Sequence, residues 1–80
     1  MREKVYVEVI AQFNSQGGLF PISIVWKDGT RFSIDRVLSV QRRASLKAGG
    51  AGIRYTCRIH NQLAYLFLED GRWFVEAKVE

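Results

Sequence analysis

At 80 residues and 9.2 kDa the chain suits one small domain, spanning 1–80, with no room for a second. Apolar residues at 48%, charged residues at 25% and only seven Gly with one Pro exclude collagen-like, low-complexity and wholly disordered chains. Twelve Lys+Arg against eight Asp+Glu give a net charge of +4, which favours an anionic partner but says nothing about fold.

Met1-Arg2-Glu3-Lys4 opens the chain without an apolar run of signal-sequence length. The apolar stretch Leu63–Leu68 is far shorter than the ~20 residues a spanning helix needs, so no membrane partner is expected. Cys57, the one cysteine, has no internal disulfide partner, and a reducing cytoplasmic location is the expectation.

Strand formers dominate: 26 of 80 residues are β-branched or aromatic. Val5, Val7, Val9, Ala11 and Phe13 alternate with more polar neighbours, which predicts a first strand over about 3–13. Asn14-Ser15-Gln16-Gly17-Gly18 is a turn, and Leu19 to Lys27 reads as a second strand. Pro21 lacks an N–H, which places it near that strand's start or on a free edge. Asp28-Gly29 predicts a two-residue reverse turn into a third strand from Phe32 to Val40, with a one-residue bulge at Asp35-Arg36.

Ile53 to His60 is the cleanest alternation, with Ile53, Tyr55, Cys57 and Ile59 on one face and Arg54, Thr56, Arg58 and His60 on the other. Asn61-Gln62 is a tight connection, Leu63 to Leu68 a fifth strand, Asp70-Gly71 a second Asp-Gly turn, and Arg72 to Val79 a sixth strand. The stretch from about 42 to 52 lacks a strand pattern and reads either as a flexible, basic, Gly-rich loop or as a single helical turn from Ser39 or later ending at Gly49; three glycines within four positions favour a loop with at most a short turn.

Six short strands with short connections and no long helix predict an all-β fold. A six-stranded antiparallel meander must cover its apolar face, either by packing as a two-layer sandwich or by curling into a small SH3-like or OB-like barrel. The barrel is the expected solution.

The pattern Pro21, Trp26, Asp28-Gly29, Phe32, Ile34-Asp35-Arg36-Val37-Leu38, Gly52-Ile53-Arg54-Tyr55, Tyr65-Leu66-Phe67, Asp70 and Trp73-Phe74 resembles small uncharacterised bacterial β-barrel proteins of a domain-of-unknown-function family. The resemblance covers about 20–79 and rests on turns and core aromatics. It implies a fold, and no activity, cofactor or site residue.

Charge is unevenly placed. Residues 1–41 carry net +1, residues 42–60 net +5 with no acidic residue, and residues 61–80 net −2. Arg54 and Arg58 share a strand face ~13 Å apart, a spacing that bridges two phosphates. With Arg42, Arg43 and Lys47 from the loop they form the candidate nucleic-acid-binding set, and Tyr6, Trp26 or Trp73 would offer stacking if exposed. The competing explanation is a solvated strand face that protects an edge from aggregation.

Other motifs carry less. The glycines after Lys47 lack the Gly-Lys-Ser/Thr of a phosphate loop. Arg42-Arg43-Ala44-Ser45 matches a basophilic kinase site, a pattern short enough to arise by chance. One Cys and one His give no metal-ligand spacing, so neither metal nor cofactor is expected; Cys57 reads as a buried, inert thiol, and no catalytic Ser-His-Asp set is visible.

The favoured function is a non-catalytic module contacting nucleic acid or another polyanion through 42–60. The alternative is a protein-interaction or homo-oligomeric assembly module, since the strand from Leu63 is apolar on both faces. A small-ligand binder or enzyme at a barrel mouth near Cys57 and Asp35 is the third reading.

Overall fold

The computed structural model describes residues 2–44 and 51–78. They form eight β-strands and no helix: β1 (Arg2–Tyr6), β2 (Glu8–Phe13), β3 (Leu19–Val25), β4 (Arg31–Ser33), β5 (Arg36–Ala44), β6 (Ala51–Ile59), β7 (Gln62–Glu69) and β8 (Arg72–Lys78). All pairings are antiparallel. The strands make a five-stranded sheet in the order β1-β8-β7-β6-β5 and a three-stranded sheet in the order β2-β3-β4.

The all-β class is therefore as expected, whereas the closed six-stranded barrel is not formed. Two of the six predicted runs are broken. The first breaks at Val7, whose N–H donates to the Trp73 carbonyl at 3.1 Å. The third breaks at Ile34-Asp35, one position ahead of the bulge expected at Asp35-Arg36. There the Ile34 N–H bonds the Ile22 carbonyl at 2.9 Å in the smaller sheet, and the Asp35 N–H bonds the Arg58 carbonyl at 2.8 Å in the larger one. Each broken run hands its pairing from one sheet to the other, so two sheets meet at two corners instead of one continuous ladder.

Part of the stretch expected as a loop over 42–52 is strand. Arg42, Arg43 and Ala44 pair with Ile53, Gly52 and Ala51, extending the β5–β6 ladder. Backbone pairing needs no alternation of side chains, and the apolar pattern on which the prediction rested is silent about it. Lys47 and the rest of 45–50 lie outside the described residues.

Turn chemistry explains the hairpins. His60 and Asn61, and Asp70 and Gly71, have positive φ, the signature of the two-residue turn that matches strand twist. The first of these turns is His60-Asn61 and not Asn61-Gln62, because Gln62 already pairs with Ile59. Asp28-Gly29 sits in a three-residue loop instead. Trp26 accepts from the Gly29 N–H and donates to the Thr30 carbonyl, with Gly29 at φ 87°. Hydrogen bonds from the Thr30 hydroxyl and N–H hold the Asp28 carboxyl below its ordinary pKa.

A bulge in the β2–β3 ladder falls between Ile10 and Ala11, where Ser23 and then Pro21 are the partners. Pro21 stands where β4 supplies no partner, so its missing N–H costs the sheet nothing there.

The interior draws on both sheets. Ile24 from β3 packs with Tyr55 and Cys57 from β6 and Leu66 from β7, surrounded by half-buried Val7, Val9, Ile34, Val37, Ile53, Ile59, Leu68, Trp73 and Val75. Each fully buried side chain of this size contributes ~1.5–3 kcal/mol. The Tyr55 hydroxyl donates to the Leu19 carbonyl at 2.6 Å and ties β6 to β3. Among the described residues no helix is long and apolar enough to cross a membrane.

Candidate nucleic-acid interface

Side chains directly opposite in an antiparallel ladder share a face, and they alternate along each strand. On β6, Tyr55 and Cys57 point inward at 1% and 0% exposure, which turns Arg54, Thr56 and Arg58 outward. The outer face of the larger sheet is thereby fixed by the same alternation that fills the interior.

The register places Arg58 directly opposite Arg36 of β5. Their Cα atoms lie ~4.5–5.5 Å apart, a spacing at which like charges repel. Among the described residues no carboxylate lies within ion-pair distance of Arg36, Arg54 or Arg58. Arg54 is half-buried. Its Nη2 donates to Gln41 Oε1, its guanidinium carbon lies 5.0 Å from the Tyr65 ring centroid, and its Nε has no hydrogen-bond partner.

The other half of this face is built differently. Phe67 and Phe74 stack with centroids 4.9 Å apart, and the Tyr6 ring packs edge-on to Phe74 at 5.7 Å. Lys4 lies 4.7 Å from the Phe74 centroid and pairs with Glu69 at 3.6 Å. The Glu69 side chain lies over Gly52, where a Cβ would meet Glu69 Cγ at 2.8 Å. Arg72 sits 4.2 Å from the Tyr6 centroid and donates to its hydroxyl at 3.0 Å.

The five predicted residues do not converge as one set. Arg54 and Arg58 share the outer face. Arg42 pairs with Ile53 and so projects from the opposite face of the sheet, where its charge acts on Tyr55. Arg43 pairs with Gly52 at the far end of the ladder, and Lys47 lies outside the described residues. Arg36, Tyr65, Lys4 and Arg72 join the face without having been predicted for it.

Of the three predicted stacking residues, Tyr6 is exposed on this face. Trp73 turns inward, its ring centroid 5.5 Å from that of Tyr55. Trp26 lines a cleft of about 330 Å³ at the β1–β2 corner with Tyr6, Val7 and Glu8. A second cleft of about 540 Å³ at the same corner is lined by Tyr6, Val7, Glu8, Val9, Gly71, Arg72 and Trp73.

Cys57 and Asp35 differ in environment. Burial pushes the Cys57 thiol up to about 11, its sulfur lying 3.8 Å from the Tyr55 carbonyl, while Asp35 is exposed at the Ile34-Asp35 corner. Among the described residues no group of three His, Cys, Asp or Glu side chains is placed to hold a metal ion.

No protein-family model matches the chain, and no curated protein or solved structure matches it.

Proposed function

We infer that the chain is a non-catalytic binding module for nucleic acid or another polyanion, using the β5–β6 half of the outer face. The observation that carries this reading is the unneutralised Arg36–Arg58 cross-strand pair, with Arg54 on the same face. Arginines directly opposite each other on neighbouring strands, with no carboxylate within ion-pair distance among the described residues, lower the stability of the free protein. They gain when a phosphate or sulfate bridges them, because charge-assisted and bidentate bonds replace the repulsion. Contacts of this type are tolerant of sequence and sensitive to salt.

The test is titration of a labelled oligonucleotide at low and moderate salt, with heparin as competitor. Binding at low salt that weakens steeply as salt rises supports the reading. Absence of binding at low salt, or unchanged affinity in the Arg54→Gln/Arg58→Gln variant, contradicts it.

Assembly is a second reading, favoured by the β2–β3 hairpin. Ile10, Phe13, Phe20 and Ile22 are exposed there, Phe13 at 69%. A second copy of the chain would cover them. Sedimentation over a wide concentration range tests this, and a monomer throughout opposes it.

A further inference from the structure

The outer face holds more than charge. Tyr6 and Tyr65 are both exposed, at 45% and 42%, and each carries a guanidinium already in place over its ring. Arg72 is held on Tyr6 by a hydrogen bond as well as by the ring, and Arg54 is held on Tyr65 by its bond to Gln41. A side chain restrained in advance loses less freedom on binding.

The register fixes where the two pairs stand. Tyr6 faces Phe74, Phe74 faces Phe67, and Phe67 faces Arg54, an unbroken row over four strands. Tyr65 lies two residues along β7 from Phe67. With strands ~4.8 Å apart and a rise of ~3.3 Å per residue, the two Tyr–Arg pairs are about 12 Å apart. Tyr6 and Arg72 also line the cleft of about 540 Å³, so open space lies beside that pair.

A duplex offers this surface its phosphates and hides its base faces. It would engage Arg36 and Arg58 and leave both Tyr–Arg pairs idle. An unpaired strand offers both, since its bases stack on aromatic rings and on guanidinium planes alike.

We propose that the outer face of the larger sheet binds single-stranded nucleic acid, with bases stacking at the Tyr6–Arg72 and Tyr65–Arg54 pairs and phosphates bridged by Arg36 and Arg58. This rests on the polyanion reading above and adds the strandedness and the stacking positions. Salt and stacking separate experimentally: loss of a phosphate contact lowers the slope of log affinity against log salt, whereas loss of a stacking ring lowers affinity and leaves that slope unchanged.

The experiment compares labelled oligo-deoxythymidine, a duplex of equal length and heparin as probes of the wild-type protein and of the Tyr6→Leu, Tyr65→Leu and Tyr65→Phe variants. Far-ultraviolet circular dichroism and a denaturation curve confirm that each variant is folded. The expected result is tighter binding of the single strand than of the duplex. Each Leu variant should weaken single-strand binding about tenfold with an unchanged salt slope. Heparin binding should persist in both, and Tyr65→Phe, which keeps the ring, should bind as the wild type does. Equal affinity for duplex and single strand, Leu variants that bind oligo-deoxythymidine normally, or equal losses for heparin and the oligonucleotide would overturn the proposal. Heparin binding without oligonucleotide binding would also overturn it and leave the polyanion reading standing. Binding to none of the three probes removes both.

Discussion

The two halves of one sheet face solve the same problem differently. On the β1–β8 side, Lys4 has two partners, the Phe74 ring and the Glu69 carboxylate 3.6 Å away. On the β5–β6 side, Arg36 and Arg58 stand opposite each other with no carboxylate within ion-pair distance among the described residues. Both halves rest on the same interior and share a continuous ladder, so the fold alone does not require the difference. Charge that a sheet needs only for solubility is usually interspersed or paired. We read the concentrated, unpaired charge as serving a ligand, in line with the proposed function.

That contrast can be probed from the interior outward. Leu66 lies beneath both halves at 1% exposure, and Leu66→Ala should cost ~2–5 kcal/mol in chemical denaturation and affect both together. A cost below ~1 kcal/mol would mean that the interior does not support the face in the way described.

Cys57 shares that interior, and its titration gives a pH signature. Its folded pKa is raised from 9.0 to about 11 by burial, so the neutral thiol is the form that favours the fold. The stability it contributes is complete below pH 9 and is lost as pH rises through about 11. Urea unfolding should show this decline, and Cys57→Ala, though less stable overall, should show a flatter dependence over that window. An equally steep decline in the variant would place the effect elsewhere.

Neutralising Glu69 gives a smaller and more diagnostic change. Glu69→Gln releases Lys4 from its ion pair and makes the paired half resemble the unpaired one. Polyanion affinity should rise a few-fold, in keeping with the ~0.2–1 kcal/mol of an exposed pair. Unchanged or weaker binding in the same titration would mean that the two halves do not act as one surface.

Much of this was legible in the sequence, for identifiable reasons. The alternation of β6 fixed Tyr55 and Cys57 inward and Arg54 and Arg58 outward, because a half-buried strand cannot reverse its faces without a bulge. Asp70-Gly71 was legible as a two-residue turn because its conformation depends on local backbone preference. Arg36 was not legible as the partner of Arg58. The β5–β6 ladder shifts register between Val37 and Ser39, and a long connection between strands leaves register unspecified. The same shift sends Arg42 to the face opposite Arg54. The corners at Val7 and Ile34-Asp35 leave no mark in the sequence, because apolar alternation runs through them while the hydrogen bonds change sheets. The Tyr65–Arg54 pair is a contact between neighbouring strands, which one strand's pattern does not record.

In the proposed function, Arg36 and Arg58 serve a ligand at the expense of the free protein. The most direct measurement compares the wild type with Arg36→Gln/Arg58→Gln, reading urea midpoint and oligonucleotide affinity on the same samples. The account predicts a midpoint equal to or above that of the wild type, together with weakened binding whose salt slope falls by about 1–2. A lower midpoint with affinity and slope unchanged would assign the two arginines to the fold and contradict it.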